Sequence, residues 1–251
     1  MNRLVTINVI LPVYNPPPDW EILTLASCYF IREKAPLYNW QFHFVNDGST
    51  NDSQTFNKIR DIKLHFIHLH EYAENKGKGF AVRYGFQKAK SATLYMYTDW
   101  DFPFGENVLI EAIKKLNHCD IVVANRGKAY YEHLPRARQI LTQIQRIVNL
   151  YALKLKQIDT QAGFKAFNHT GKALFMKTTI NEFLFDTEFI AIGQNAGLNM
   201  DSIDVKCRKD IAFTNFRSTT LLKELANMPK IFLARYARQY TFDSDYRLRR
   251  V

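Results

Sequence analysis

The 251-residue sequence is poor in cysteine, and Cys28, Cys119 and Cys207 lie far apart with no Cys-x-x-Cys pair. This spacing argues against a structural zinc site and against a disulfide framework, so we expect reduced thiols. No apolar run approaches the roughly 20 residues that span a bilayer. The first residues also lack the apolar core and cleavage site of a signal peptide. We therefore expect a cytoplasmic protein, either free or bound peripherally at the cytoplasmic face of the membrane.

Acidic residues are also scarce, because 24 aspartates and glutamates oppose 34 lysines and arginines and leave a formal charge of +10. A basic balance favours anionic partners, which include nucleic acid, phosphorylated substrates and anionic lipid. The last segment, 221–251, mixes apolar and basic residues. We expect it to form either an interfacial helix on anionic lipid or a helix packed on the domain.

Short apolar segments alternate with segments of helical periodicity along the chain. The pattern predicts strands at 5–11, 41–45, 64–69, 93–98, 121–124 and 199–205, and helices at 20–33, 52–60, 77–90, 106–116, 135–155 and 186–194. This alternation predicts an α/β fold with a mostly parallel central sheet flanked by helices. One domain, 1–220, would precede the tail, 221–251. Because ligands of such sheets bind at the carboxyl ends of the strands, the polar residues there should share a crevice.

Asp99 and Asp101 follow the fourth predicted strand, in the segment YTDWD at 97–101. Two carboxylates at a strand end can share a hard cation such as Mg²⁺ or Mn²⁺, and substrate phosphates complete its ligand shell. The alternative is a solvated acidic turn. The position of the pair at the end of an apolar strand favours the metal site.

Two other segments allow both a structural and a functional interpretation. Asp47, in NDGS at 46–49, can accept a hydrogen bond from a nucleobase, although its spacing alone favours a helix cap or an Asx turn. The segment 75–83, NKGKGFAVR, places Lys78 and glycines at a helix start, where a phosphate can bind or the lysines can simply be solvated. It matches neither a Walker motif nor a dinucleotide fingerprint, which argues against a nucleoside triphosphatase or a dehydrogenase.

The second half of the chain contains isolated charged residues. Arg126, Lys165 and Arg217 are candidate phosphate contacts, with a solvated side chain as the alternative for each. Asp186 and Glu188 lie among aromatic residues, where an unpaired carboxylate is costly to bury. This position favours a specific role or a salt bridge.

Taken in order, these motifs resemble the family 2 glycosyltransferases with the GT-A fold. The similarity covers about residues 5–220 and rests on LPVYN (11–15), NDGS (46–49), the Asp99–Asp101 pair, DTQAGFK (159–165) and FDTE (185–188). The GKG and DTQAGFK segments are similar, more narrowly, to the polyprenyl-phosphate sugar transferases, such as the dolichyl-phosphate glucosyl- and mannosyltransferases. The resemblance implies an inverting, metal-dependent transferase that moves a hexose from a UDP- or GDP-sugar to a polyprenyl phosphate.

The resemblance also implies roles for individual residues. The implied donor-binding set is Pro12, Tyr14, Asn15, Asp47, Lys78, Asp99 and Asp101. The implied catalytic set is Asp186, Lys165 and Gln161, and the implied acceptor or phosphate contacts are Arg126, Arg217 and Ser218. Tyr14 and Asp47 would contact the base, and Asp99 and Asp101 would hold the diphosphate through Mg²⁺ or Mn²⁺. Asp186 occupies the position of the catalytic base in many family members.

Two departures from the family leave alternatives open. The usual acidic pair after the second strand is Asn46-Asp47 here, and the membrane-spanning helix of many relatives is missing. A membrane surface or a membrane partner protein is therefore a further expected partner. The same family also acts on sugar hydroxyls in glycan synthesis. A non-catalytic nucleotide-sugar or nucleic-acid binding protein is the alternative from another class, although an acidic crevice disfavours nucleic acid.

Overall fold

The computed structural model describes residues 5–51, 53–127, 130, 136–157, 159–208 and 218–237. Within these ranges the side chains of 53–55, 137, 138, 141, 218–223 and 225 are not described.

Seven strands of the described chain form one mixed sheet in the order β3-β2-β1-β4-β6-β5-β7. They are β1 (Val5–Val13), β2 (Tyr38–Asp47), β3 (Ile67–Tyr72), β4 (Leu94–Tyr97), β5 (Ile121–Arg126), β6 (Lys165–Phe167) and β7 (Met200–Val205). Strand β6 runs antiparallel to its neighbours β4 and β5, and the other paired strands are parallel. The predicted α/β fold with a mostly parallel sheet is therefore confirmed.

Helices cover both faces of this sheet. They are α1 (Trp20–Lys34), α2 (Ser53–Asp61), α3 (Lys78–Lys88), α4 (Asn107–Leu116), α5 (Arg136–Ile147), α6 (His169–Phe175), α7 (Phe185–Asn195) and α8 (Ser218–Phe232). A π-helical turn, Val148–Ala152, continues α5, and a second one, Leu233–Ala237, continues α8. In the described part of the chain, every helix is too short or too polar to cross a bilayer.

The sheet is buried on both faces, which explains why its strands are apolar at successive positions. Along β1, Ile7, Val9 and Leu11 belong to one apolar cluster, whereas Ile10 belongs to the other. The first cluster includes residues of α1, α2 and α4, and the second includes residues of α3, α6 and α7. The apolar runs from which the strands were predicted therefore reflect burial between two helical layers.

Two elements, β6 and α6, are not predicted by the sequence pattern, whereas α8 corresponds to the helix expected in the last segment. Strand β6 has three residues and α6 has seven, too few for periodicity to be recognised. The predicted boundary at residue 220 lies within α8, and Ile231 and Ala234 are buried in the second apolar cluster. Up to residue 237, the segment therefore packs on the domain, and 238–251 lie outside the described residues.

A buried chain of polar side chains crosses the sheet from β1 to β3. Asn8 Nδ2 donates to the Lys90 carbonyl oxygen (2.7 Å), and Asn8 Oδ1 lies 3.3 Å from His43 Nε2. His43 Nδ1 in turn lies 3.0 Å from His70 Nε2. Because Asn8 Oδ1 can only accept, His43 must donate from Nε2 and accept at Nδ1, so His70 is the donor to it. This arrangement requires a neutral His43.

The buried row of polar side chains predicts that the protein loses stability in acid. Burial lowers the pKa of His43 from 6.5 to about 3 and that of His70 to about 4, and the charges of neighbouring histidines add to both shifts. Both pKa values are depressed by folding. The stability contribution is therefore fully present above the unfolded value of 6.5, and it is lost as the pH falls towards 4. We expect the free energy of urea unfolding to fall between about pH 7.5 and about pH 5.

The variant His43→Gln, whose amide can still donate to Asn8 Oδ1, should show a weaker pH dependence of its unfolding free energy. His65→Gln is the matched control, because His65 is exposed on the same edge of the fold. An equal pH dependence in wild type and His43→Gln would rule out the buried histidine as the cause.

Candidate active site

The carboxyl ends of β1, β2, β4 and β5 lie at one edge of the sheet, as parallel strands require. Strand β6 runs in the opposite direction and therefore begins at this edge. Its first residue, Lys165, is in register with Tyr97 of β4 and Val123 of β5. The loop 159–164 before β6 is thereby brought against the segment 98–101 after β4.

The predicted metal ligands Asp99 and Asp101 lie in that segment, and Lys78 and Gly163 approach them. Lys78, the first residue of α3, places Nζ 2.5 Å from Asp99 Oδ1. On the other side, Gly163 packs against Asp99, because a Cβ at this position would meet Asp99 Oδ2 and displace the carboxylate. The lysine predicted to bind phosphate and the acidic pair therefore form one cluster.

The charges in this cluster are unbalanced. Burial, together with the charge of Asp99, raises the pKa of Asp101 to about 6, although Lys78 and Arg208 act in the opposite direction. Burial alone would lower the pKa of Lys78, but the charges of Asp99, Asp186 and Asp101 raise it. A carboxyl group whose ionised form is disfavoured by a second carboxylate is stabilised by an added cation. The oxygen donors and their charge therefore fit a divalent cation.

Such a cation would need ligands from outside the chain. Within the described ranges, no group of three or more His, Cys, Asp or Glu side chains is arranged to hold a metal ion. Asp99 and Asp101 supply only two carboxylates, and Mg²⁺ or Mn²⁺ accepts phosphate oxygens as further ligands. The pair thus fits a cation that is bound together with a phosphorylated ligand.

Lys165 is fully buried and uses all three ammonium protons inside the protein. Nζ donates to the carbonyl oxygens of Thr160 (2.6 Å) and Ala162 (2.7 Å) and forms an ion pair with Asp186 Oδ1. Tyr97 donates to the same Asp186 oxygen (2.5 Å). Lys165 therefore has no proton left to donate to a ligand, and the catalytic role that the resemblance implied for it stays a prediction. The lysine holds the loop and Asp186 in place.

Asp186 is oriented by these contacts and by its position in the first turn of α7. Among the described residues, Tyr97 and Lys165 both donate to Oδ1 of this carboxylate, which leaves Oδ2 as the candidate oxygen for a ligand. Glu188, fully buried two residues further along α7, accepts two backbone N–H bonds from 179–180 (2.8 and 2.9 Å). Glu224 of α8 accepts the N–H groups of 183 and 184 (2.8 and 3.1 Å). Two glutamates thus fix the turn that carries Asp186.

Asp47 accepts four hydrogen bonds that shape the loop before α3. The donors are Tyr72 Oη (2.8 Å), Asn75 Nδ2 (3.0 Å) and the backbone N–H groups of Lys76 (2.7 Å) and Gly77 (3.1 Å). Burial raises the pKa of Asp47, and these hydrogen bonds oppose the shift. The carboxylate therefore positions the start of α3, and its contact with a nucleobase stays a prediction.

The other donor-binding candidates lie after β1. Pro12 is buried within β1, whereas Tyr14 is 49% exposed. Asn15 accepts the Thr50 N–H (2.8 Å), and its own N–H donates to Ser49 Oγ (2.9 Å). The loops after β1 and β2 are therefore tied together, and Tyr14 is the member of this group whose ring is accessible to a ligand.

Arg126, at the end of β5, is engaged with Asp159. Its Nη2 lies 2.6 Å from Asp159 Oδ1, its Nε lies 3.0 Å from Oδ2, and its Nη1 donates to Tyr130 Oη (3.1 Å). Burial would raise the pKa of Asp159, but hydrogen bonds and charge from Arg126 lower it. Arg126 thus fixes the start of the loop that contains the half-buried Gln161. The contact of Arg126 with phosphate stays a prediction.

Two predicted acceptor contacts cannot be placed. Arg217 lies outside the described residues, and Ser218 begins α8 without a described side chain. Three site residues are absent from the predicted set, namely Tyr97, Gly163 and Glu224. The strand–turn motif contains Tyr97, but its partner Asp186 is distant in sequence. Glu224 has no motif, so its contact with α7 is visible only in the structure.

The sheet, the acidic pair after β4 and the loop before β6 define the class as a GT-A-type sugar transferase. The chain matches Glycosyl transferase family 2 over residues 8–204 and belongs to this family.

Curated relatives are similar over most of this chain. The dolichyl-phosphate beta-glucosyltransferase of Drosophila melanogaster is 28% identical over 219 residues, which cover 80% of this chain and 66% of the relative. The enzyme of the same name from Saccharomyces cerevisiae is 23% identical over 223 residues, with 80% and 66% covered. The chain therefore spans just under two thirds of the length of these relatives.

Solved structures of low sequence identity share the fold. Glucosyl-3-phosphoglycerate synthase from Mycobacterium tuberculosis, in complex with Mn²⁺, UDP-glucose and phosphoglyceric acid, matches with a TM-score of 0.59 at 15% identity, over 96% of this chain and 81% of that one. A mannosyltransferase from Pyrobaculum calidifontis, in complex with GDP-mannose and Mn²⁺, matches with a TM-score of 0.60 at 16% identity, over 96% and 67%. These likenesses confirm the predicted GT-A fold.

The buried ion pair predicts a large loss of stability when one partner is removed. Lys165→Met leaves the Asp186 carboxylate buried without its cation, which should lower the free energy of urea unfolding by about 3–5 kcal/mol. The double variant Lys165→Met/Asp186→Asn should recover part of this loss. The Lys115–Asp201 pair, whose side chains are 30% and 49% exposed, gives the control, because Lys115→Met should cost no more than about 1 kcal/mol. Equal losses in Lys165→Met and Lys115→Met would show that the buried pair is not a constraint.

Proposed function

We propose that this chain is an inverting hexosyltransferase that uses a UDP- or GDP-sugar as donor, Mg²⁺ or Mn²⁺ as cofactor and a polyprenyl phosphate as acceptor. The observation that carries the proposal is the cluster in which Lys78 pairs with Asp99 (2.5 Å) and Gly163 packs against the same carboxylate. Gly163 lies two residues before Lys165, the ion-pair partner of Asp186, so these contacts support a shared crevice for the acidic pair and the candidate base. Family membership and the activity for which the relatives are named support the same reaction.

The donor would occupy the edge between β1 and β4. Tyr14 supplies an accessible ring for the base, and Asp47 holds the loop that delivers Lys78 to Asp99. A divalent cation held by Asp99 and Asp101 would offset the negative charge that develops on the leaving diphosphate. The two fold relatives that hold Mn²⁺ with a nucleotide sugar support this arrangement.

The acceptor would approach from the side of Asp186. A lipid phosphate is already anionic near neutral pH, so it can attack the anomeric carbon without giving up a proton. In that case Asp186 orients the acceptor and balances charge with Lys165, and its own basicity is not required. The cations Lys78 and Arg208, whose charges both lower the pKa of Asp101, are candidate contacts for such a phosphate.

A sugar hydroxyl as acceptor is the second candidate function. Asp186 Oδ2 has the position that a general base needs, since Lys165 and Tyr97 both bind Oδ1. A hydroxyl nucleophile must lose its proton in the transition state, so its transfer would depend on this carboxylate.

The donor site is tested by thermal shift with UDP, GDP, CDP and ADP, each with and without Mn²⁺. Ligand that binds only the folded state raises the unfolding temperature, and saturation at about 100 times Kd adds about 2.7 kcal/mol. We expect one diphosphate to stabilise wild type in a Mn²⁺-dependent way and Asp101→Asn to lose that dependence. Asp61→Asn, at an exposed carboxylate on α2, is the matched control. Full Mn²⁺ dependence in Asp101→Asn would exclude the metal assignment.

The acceptor class is tested by Asp186→Asn, assayed below the unfolding temperature of the variant. A lipid-phosphate acceptor predicts substantial residual turnover, because no proton has to be removed. A hydroxyl acceptor predicts near-complete loss of kcat, since a general base contributes roughly 10²–10⁴-fold. Near-complete loss with unchanged nucleotide binding would therefore refute the lipid-phosphate acceptor in favour of the hydroxyl.

A further inference from the structure

Helix α5 and the π-helical turn after it carry an apolar stripe on their outer face. We define the stripe as Ile140, Ile144, Ile147 and Tyr151, which are 57, 53, 57 and 71% exposed. Their spacing of four, three and four residues places them on one side of a helix. Scattered exposed apolar residues are ordinary, but a contiguous row of this size marks an interaction surface.

A second exposed apolar segment adjoins the stripe. Phe232, Leu233 and Tyr236 are 37, 48 and 53% exposed. Tyr236 Oη donates to the Ala152 carbonyl oxygen (2.7 Å), which joins the end of α8 to the end of the α5 segment. The two apolar segments therefore lie side by side on the surface.

The segment that carries the stripe has charges of one sign in its sequence. Between residues 136 and 157 the sequence contains no aspartate or glutamate, and its basic residues are Arg136, Arg138, Arg146, Lys154 and Lys156. A helix with an apolar face, a basic flank and no acidic residues is typical of helices that lie in a membrane interface.

The inner face of the same helix contacts the candidate active site. Gln145 Nε2 donates to Thr187 Oγ1 (3.2 Å), and Asn149 Nδ2 donates to Thr160 Oγ1 (3.1 Å). Thr187 follows Asp186 in the chain, and the two threonine hydroxyls lie 2.7 Å apart. A surface that binds the outer face would thus lie one helix away from Asp186.

We propose that the stripe docks the protein on an anionic lipid surface. Apolar side chains would enter the boundary between headgroups and acyl chains, and the flanking lysines and arginines would contact the headgroups. A second copy of this chain is a poorer occupant, because two basic faces would repel each other. The proposal does not rest on the identity of the acceptor, since lipid binding can be measured without any substrate.

The test is co-sedimentation of the full chain with vesicles of phosphatidylcholine, alone or with phosphatidylglycerol. We expect wild type to bind the anionic vesicles and to be released by salt. The variant Ile144→Glu/Ile147→Glu should bind at least about tenfold more weakly, because two apolar side chains are replaced by carboxylates that the anionic headgroups repel. Ile22→Glu/Leu23→Glu on α1, where the residues are 60 and 65% exposed, is the matched control and should bind like wild type.

Three results would overturn the proposal. They are no binding of wild type to anionic vesicles, unchanged binding of the stripe variant, and a wild-type dimer in light scattering that the stripe variant abolishes. Circular dichroism and the unfolding temperature establish that the stripe variant is folded. Its Mn²⁺-dependent shift with a nucleoside diphosphate should equal that of wild type, so a failure of the proposed transferase function is detected separately.

Discussion

The buried ion pair between Lys165 and Asp186 is the constraint on which the rest of the site depends. Lys165 is buried where β6 enters the sheet, and its ammonium group must be paired there. The pair therefore connects the antiparallel strand, the loop before it and helix α7. Burial lowers the pKa of Lys165, and the charge of Asp186 opposes that shift, so the carboxylate helps to keep the lysine ionised.

At the other side of the crevice, contacts between neighbouring loops determine where the charged side chains lie. Gly163 lets the loop before β6 approach Asp99, and Asp47 holds the loop that places Lys78 against the same carboxylate. Asp101 is left with a raised pKa because Asp99 is close and burial removes water. Neighbouring loops thus hold these two carboxylates together at one edge of the sheet.

Much of the fold could be predicted from the sequence, because a parallel sheet buried on two faces needs long apolar strands. Strand β6 could not be predicted, because three residues are too few to show a periodic pattern of apolar side chains. The acidic pair was predictable from its position after β4. The role of Lys165 was not predictable, because its three partners lie at 160, 162 and 186. The sequence also does not show that a charged side chain such as this one is buried. Arg126 and Asp47 were likewise recognised as candidates in the sequence, but the residues that contact them could not be predicted from it.

The central claim is that the crevice between Asp99 and Asp186 transfers a hexose to a lipid phosphate with inversion. The direct measurement is to incubate the full chain with Mn²⁺, the nucleotide sugar selected by thermal shift and a polyprenyl phosphate in detergent, and then to analyse the lipid product by nuclear magnetic resonance. We predict a glycosyl phosphate whose anomeric configuration is opposite to that of the donor. A product with the donor's configuration, or a sugar transferred only to a hydroxyl or to water, would contradict the claim.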